Sequence, residues 1–262
     1  MLECVVNISE GRNAAVLGGL AAKVAGCLLD LHVDAVHNRS VFTLAGDEVE
    51  TAARELARSG LECLDIAAHA GVHPRLGVVD VVPFVPLAPA DSLEVALGAR
   101  TEFSSWFGNL GVPCFEYGPD LSLPDVRRHA WIDLFPDTGP PEPHPTAGAC
   151  CVGARRILVA YNVWLAEGGV AEARAVARSI RRPGIRALGL DIDGQGQVAM
   201  NLVDPLEVGP AAAYDLVAAE AHIHHAELVG LVPNAVLEAV PRQRWTQLGL
   251  SESATIEARL HR

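Results

Sequence analysis

Residues 67–86, AAHAGVHPRLGVVDVVPFVP, set two histidines, an arginine and two glycines directly ahead of an apolar run. An imidazole such as that of His69 or His73 titrates near neutrality, so it can accept a proton and return it at physiological pH. The guanidinium of Arg75 is a planar fork of donors that fits a carboxylate. Gly71 and Gly77 let the backbone approach a flat molecule closely. Three other polar clusters sit at strand ends or in loops, where functional groups are usually presented. They are NISEGRN (7–13), with Asn7, Ser9, Glu10 and Arg12; LHVDAVHNRS (31–40), with His32, Asp34, His37, Asn38 and Arg39; and HPTAGACCVGARR (144–156), with His144, Gly148 and Arg155. The ordinary structural uses are a helix cap at Ser9 or Asn13 for the first, a solvated strand face followed by a turn for the second, and, for the opening stretch, a Gly-Pro loop in which Arg75 caps or pairs with an acidic neighbour.

A metal is not expected. His69 and His73 are four apart, but Gly71 lies between them and Pro74 follows, so no regular helix presents both on one face. His222, His224 and His225 read as the polar end of a helix spanning 209–226. The six cysteines form no C-x-x-C pair, so they are expected to be free thiols, the adjacent Cys150 and Cys151 included.

These clusters must be positioned by a regular scaffold, and the spacing of apolar residues predicts one. Strands are expected at 2–9, 27–36, 40–46, 78–86 and 112–117, with helices at 13–25, 47–67 and 91–110. The first six elements run β-α-β-β-α-β, the order of a ferredoxin-like unit. Residues 118–150 carry seven prolines and read as a linker or binding loop. The order then restarts, with strands at 154–165, 184–193, 197–205 and 227–233 and helices at 169–181 and 209–226. Small helices at 234–240 and 253–261 close the chain. The expected fold class is α/β (α+β): two ferredoxin-like βαββαβ subdomains, residues 1–150 and 151–262, with sheets backed by helices.

The chain has 262 residues, half of them hydrophobic, and a formal net charge of −12. That balance argues against a nucleic-acid partner, which needs a basic face. It leaves room for a small anionic substrate held by local arginines. The start, MLECVVNISEGR, lacks the basic and apolar regions of a signal peptide, and no apolar run approaches the ~20 residues a bilayer span requires. A cytoplasmic protein with no membrane partner is expected.

Five blocks in order, ECVVNISEGRN (3–13), HNRSVFTLAG (37–46), HAGVHPRLGVVDVVPFVP (69–86), GARRILVAYNVWL (153–165) and ELVGLVP (227–233), resemble the formiminotransferase domain family. The resemblance runs from residue 3 to about 233, without the separate helical cyclodeaminase domain. It implies a two-subdomain α/β fold, usually dimeric, with a ligand cleft between the subdomains. It implies transfer of a formimino group from N-formimino-L-glutamate to N5 of tetrahydrofolate as co-substrate, in one-carbon metabolism and histidine degradation. The histidine of the HPR motif, His73, would be catalytic, and residues from about Thr138 to Gly148 would help hold the folate.

The residues agree with such chemistry. Moving an amidine carbon between two nitrogens requires one nitrogen to lose a proton and the other to gain one, a task for one histidine. Both substrates are anionic, and Arg12, Arg39, Arg75 and Arg155 lie in the motif blocks, whereas lysine occurs only at position 23. Gly139 and Gly148 suit close approach to a pterin. Asn7 and Asn38 are further contact candidates, and His32 or Asp34 could orient His73. A relative with a different formimino or formyl amino-acid partner, and a folate-binding protein without catalysis, are the alternatives.

Overall fold

A computed structural model describes residues 1–71, 75–87 and 92–261. The chain divides into two units, Met1–Arg156 and Ile157–Arg262. In the first, the elements run β1 (Leu2–Ile8), α1 (Ala14–Lys23), β2 (Leu28–Asp34), β3 (Arg39–Gly46), α2 (Val49–Cys63), β4 (Val79–Pro86), α3 (Leu93–Asn109), β5 (Cys114–Tyr117), α4 (Leu123–His129) and β6 (Cys150–Ala154). The sheet order is β2-β3-β1-β4-β6-β5. Its first four strands are antiparallel and have the ferredoxin-like order, while β6 inserts parallel between β4 and β5. Alternation decides which face is buried. Cys4, Val6 and Ile8 of β1, Phe42 and Leu44 of β3, and Val82 and Phe84 of β4 pack with α1, α2 and α3 in one core. On the other face, Val81, Cys151 and Phe115 pack with Val126 of α4.

The second unit runs β7 (Val159–Leu165), α5 (Val170–Ile180), β8 (Ile185–Ile192), β9 (Gln195–Leu202), α6 (Pro210–Ala218) and β10 (Ile223–Val229). Its sheet order, β10-β7-β9-β8, is ferredoxin-like again. The short helices α7 (Asn234–Glu238) and α8 (Ile256–Leu260) follow.

Four expectations are corrected. The strand expected at 154–165 begins only at Val159, and Cys150–Ala154 ahead of it is a separate strand, not expected, that pairs with β4 and β5. The division expected after residue 150 therefore falls after Arg156. Residues 118–150 are not all loop, since Ser122 caps α4 by accepting from the Asp125 N–H, with Pro124 in the first turn and Arg127, Arg128 and His129 in the last. The helix expected at 209–226 ends at Ala218, and His224 and His225 lie on β10, which pairs with β7. His225 stacks on Trp164 at 5.3 Å.

The β6 strand leaves no room at Gly153, where a Cβ would lie 2.1 Å from Cζ of the buried Tyr117 ring. Gly153→Ala should therefore cost about 1–3 kcal/mol through overpacking. Chemical denaturation would read this, and an unchanged midpoint would show that the ring moves aside freely.

Candidate functional site

The ends of β1 and β2 and the starts of β3, β4 and β6 all lie at one end of the first sheet, as the register requires. Three segments meet there: residues 9–13, residues 35–38 and, of the stretch 69–77, the described residues 69–71 and 75–77. Ser9 closes the first onto the third, its N–H donating to the Val78 carbonyl at 2.8 Å and its Oγ to that of Gly77 at 2.7 Å. Gly11 sits so close to the second loop that a Cβ would fall 2.2 Å from the Asp34 carbonyl oxygen and 2.6 Å from the Arg39 nitrogen.

Asn38 joins all three. It is buried and has φ +49°, a left-handed conformation that asparagine tolerates better than most residues. Its Oδ1 accepts from the Gly11 N–H at 2.9 Å, and its Nδ2 donates to the Ala70 carbonyl at 3.0 Å. Its own carbonyl accepts from Nε2 of His69 at 2.8 Å. A carbonyl only accepts and a guanidinium only donates, so His69 carries its proton on Nε2 and turns the Nδ1 lone pair to Arg75. Burial, and then the Arg75 charge, lower the His69 pKa against the pull of the Asn38 carbonyl.

Charge is concentrated at this end. Asp34 accepts from the N–H groups of Val36 at 3.0 Å and His37 at 2.8 Å, and pairs with the His37 ring. Burial opposes its ionisation, but these bonds and the charges of His37 and Arg39 outweigh burial and hold the carboxyl down at about 2. Glu10 accepts from the backbone N–H groups of Arg12 and Asn13, and Arg12 Nε donates to the Ala35 carbonyl. Between Val79 and Val81 the β1–β4 register shifts, and the extra residue is Asp80. Its buried carboxylate accepts from the Leu76 N–H at 2.7 Å and pairs with Arg127 of α4. Burial pushes Asp80 upward, while Arg127, the Leu76 N–H, Arg39 and Arg75 pull it down. The carboxylates thus draw largely on backbone N–H groups, and arginines 12, 39, 75 and 127 gather at one end of a chain of net charge −12.

Of the residues singled out from sequence, Arg12, Asp34, Asn38, Arg39 and Arg75 come together here. Asn7 and His32 lie on either side of Val41 in adjacent strands, near the same end. Gly148, at φ +72°, bridges to Gly77 and brings the 144–148 loop alongside. Gly139 packs two strands away against the Val112 carbonyl. Arg155 lies at the opposite end of β4, where its N–H donates to Phe84. His73 lies outside the described residues, between Gly71 and Arg75, which are both described. Asp34, a candidate to orient His73, has its carboxylate occupied by His37 and two backbone N–H groups. Sequence reasoning missed Asp80, hidden inside an apolar strand, and Arg127, hidden inside the proline-rich segment. Among the described residues, no three His, Cys, Asp or Glu side chains are placed to hold a metal, and no helix is long and apolar enough to cross a membrane. Cys150 and Cys151 are buried free thiols with pKa values raised by burial.

The first unit is thus an α+β scaffold presenting an arginine-rich strand end suited to small, multiply anionic molecules. The chain belongs to the formiminotransferase family: residues 1–155 match the formiminotransferase domain, N-terminal subdomain. It is 33% identical to a glutamate formimidoyltransferase of Streptococcus pyogenes serotype M1, covering 90% of each chain. It is 29% identical to a glutamate formimidoyltransferase of Thermoplasma acidophilum, covering 98% of that protein. The formimidoyltransferase-cyclodeaminase of Gallus gallus is 34% identical over 91% of this chain, which spans 51% of that longer protein.

The Asp34 carboxyl titrates at about 2, below its ordinary 3.8, so its contribution to stability is present above pH 4 and is lost as pH falls through about 2. Discounted for solvent screening, the contribution is on the order of 1 kcal/mol. Asp34→Asn should lower stability by about that much at pH 7, and its gap from the parent should close between about pH 4 and pH 2. Urea denaturation at several pH values measures this; a gap of constant size would show that the charge contributes nothing.

Proposed function

We propose that this chain transfers the formimino group of N-formimino-L-glutamate to N5 of tetrahydrofolate. The observation that carries this reading is the arginine-rich end of the first sheet, in a chain whose relatives are named for glutamate formimidoyl transfer. The donor brings two carboxylates, and a folate brings those of its glutamate tail. Arg12, Arg39 and Arg75 are the groups we assign to carboxylates, since a guanidinium can meet both oxygens of one. Asn7, His32 and Gly148, near the same end, complete the assigned contacts; Asn38 holds the loops that carry them, and Arg155 and Gly139, placed elsewhere on the sheet, are left out of the assignment.

N5 attacks the amidine carbon, and a tetrahedral centre forms as the carbon–nitrogen double bond opens. The N5 proton must leave and the glutamate nitrogen must gain one before its bond to carbon breaks. In this reading the His73 imidazole takes the first proton and delivers the second, so it ends the cycle as it began. The products are 5-formiminotetrahydrofolate and glutamate, and no further reactant is needed. A general acid–base of this kind contributes ~10²–10⁴ in rate.

His73→Ala should therefore lower turnover by ~10²–10⁴ while leaving tetrahydrofolate affinity nearly intact. Formation of 5-formiminotetrahydrofolate and a binding titration read the two separately. Equal turnover in parent and variant would remove His73 from the mechanism. Folate binding without turnover in the parent would favour a non-catalytic binder, and turnover only with another formimino or formyl amino acid would change the donor.

A further inference from the structure

The proposed chemistry leaves the ion pair of Asp80 and Arg127 without a task. Asp80 is the extra residue of a bulge in β4, and its side chain is 3% exposed. A carboxylate there costs free energy that an apolar residue would not, and such pairs are weak evidence for stability. Its partners indicate another use. One oxygen accepts from the N–H of Leu76, the residue after Arg75, and the other meets Arg127. Arg127 comes from the last turn of α4, which Val126 anchors against Val81 and Cys151 on the far face of the sheet. The backbone next to Leu76 is held just as closely: Gly77 would place a Cβ 2.3 Å from the Ala149 carbonyl oxygen, and Ala149 donates to the Leu76 carbonyl at 2.9 Å. Bulges beside active sites commonly re-aim a side chain in this way.

We propose that Asp80 and Arg127 are positioning residues for the transfer, fixing the backbone at Leu76, three residues after His73 in the sequence. The inference rests on the catalytic assignment of His73. Neither side chain need touch substrate. Helix α4 acts as a strut, and the pair transmits its rigidity to the loop.

The test compares Asp80→Asn, Arg127→Met and Arg127→Lys in the full chain. Hydrogen exchange without substrate should be faster at Leu76 in the first two variants than in the parent, and slower in Arg127→Lys than in Arg127→Met. In turnover, Asp80→Asn and Arg127→Met should lose about 100-fold in kcat, the scale of a 1 Å misplacement, with KM for both substrates little changed. Arg127→Lys should recover part of that loss. Unchanged exchange at Leu76 overturns the proposal, as does a loss confined to KM, which would make Arg127 a substrate ligand. Should Asp80→Asn not fold, the two Arg127 variants decide the matter. Should the parent show no transfer, the His73 assignment fails, and exchange at Leu76 still decides whether the pair anchors the loop.

Discussion

The side-chain amide of Asn38 is the contact on which the arrangement of the candidate site depends. It spends its acceptor on the β1 exit at Gly11 and a donor on the carbonyl of Ala70, while the Asn38 carbonyl accepts from the His69 ring N–H. Three loops remote in sequence become one surface through a single residue. No apolar residue could replace it, because Gly11 and Ala70 need opposite hydrogen-bonding partners. Aspartate would supply the acceptor and lose the donor. The positive φ adds a second restriction, since it suits asparagine and glycine and disfavours bulky or β-branched residues. The want of space at Gly11 serves the same end, for a side chain there would push the first loop off the second.

Within this frame the carboxylates have structural duties. Glu10 and Asp34 each close a turn through backbone N–H groups, and Asp80 anchors a loop. A carboxylate satisfied by fixed dipoles neutralises nearby arginines less than one paired with them directly. The strand end can therefore attract anions although the chain as a whole is acidic. The His69 tautomer follows from the same logic, being set by a carbonyl on one side and a guanidinium on the other.

Much of the scaffold was legible in the sequence because strands and helices here obey simple periodicities. Alternation of Leu29, Leu31 and Val33 with Asp30, His32 and Asp34 marks β2, the continuous apolar run from 78 marks β4, and the order of elements gives the ferredoxin-like pairing of both sheets. The short pieces were not legible. Strand β6 is five residues long and follows a run of prolines, so no strand was expected over 150–153. Helix α4 has a serine cap and an early proline, both proper start signals, but it lies among residues that otherwise break structure. For β10, the histidines suggested a polar helix end, whereas pairing with β7 completes the sheet and overrides local preference.

The candidate site was legible in part, and the split has a physical cause. Asn38, Arg39, Asp34 and Arg75 were found because they stand in polar clusters between apolar segments. Asp80 was missed because VVDVVPFV reads as one buried strand, in which a lone acid looks like a solvated interruption. Only the register shows that it is an extra residue on a bulge, turned toward Arg127 from a helix 47 positions away. A sequence displays the groups that can do chemistry, since these are polar and cluster at loops. It hides the groups that hold them in place, whose partners are distant and whose burial follows only from the fold. A proton carrier between two amines depends on both kinds, because transfer needs the ring aimed at each nitrogen in turn, and aim is set by the backbone that bears it.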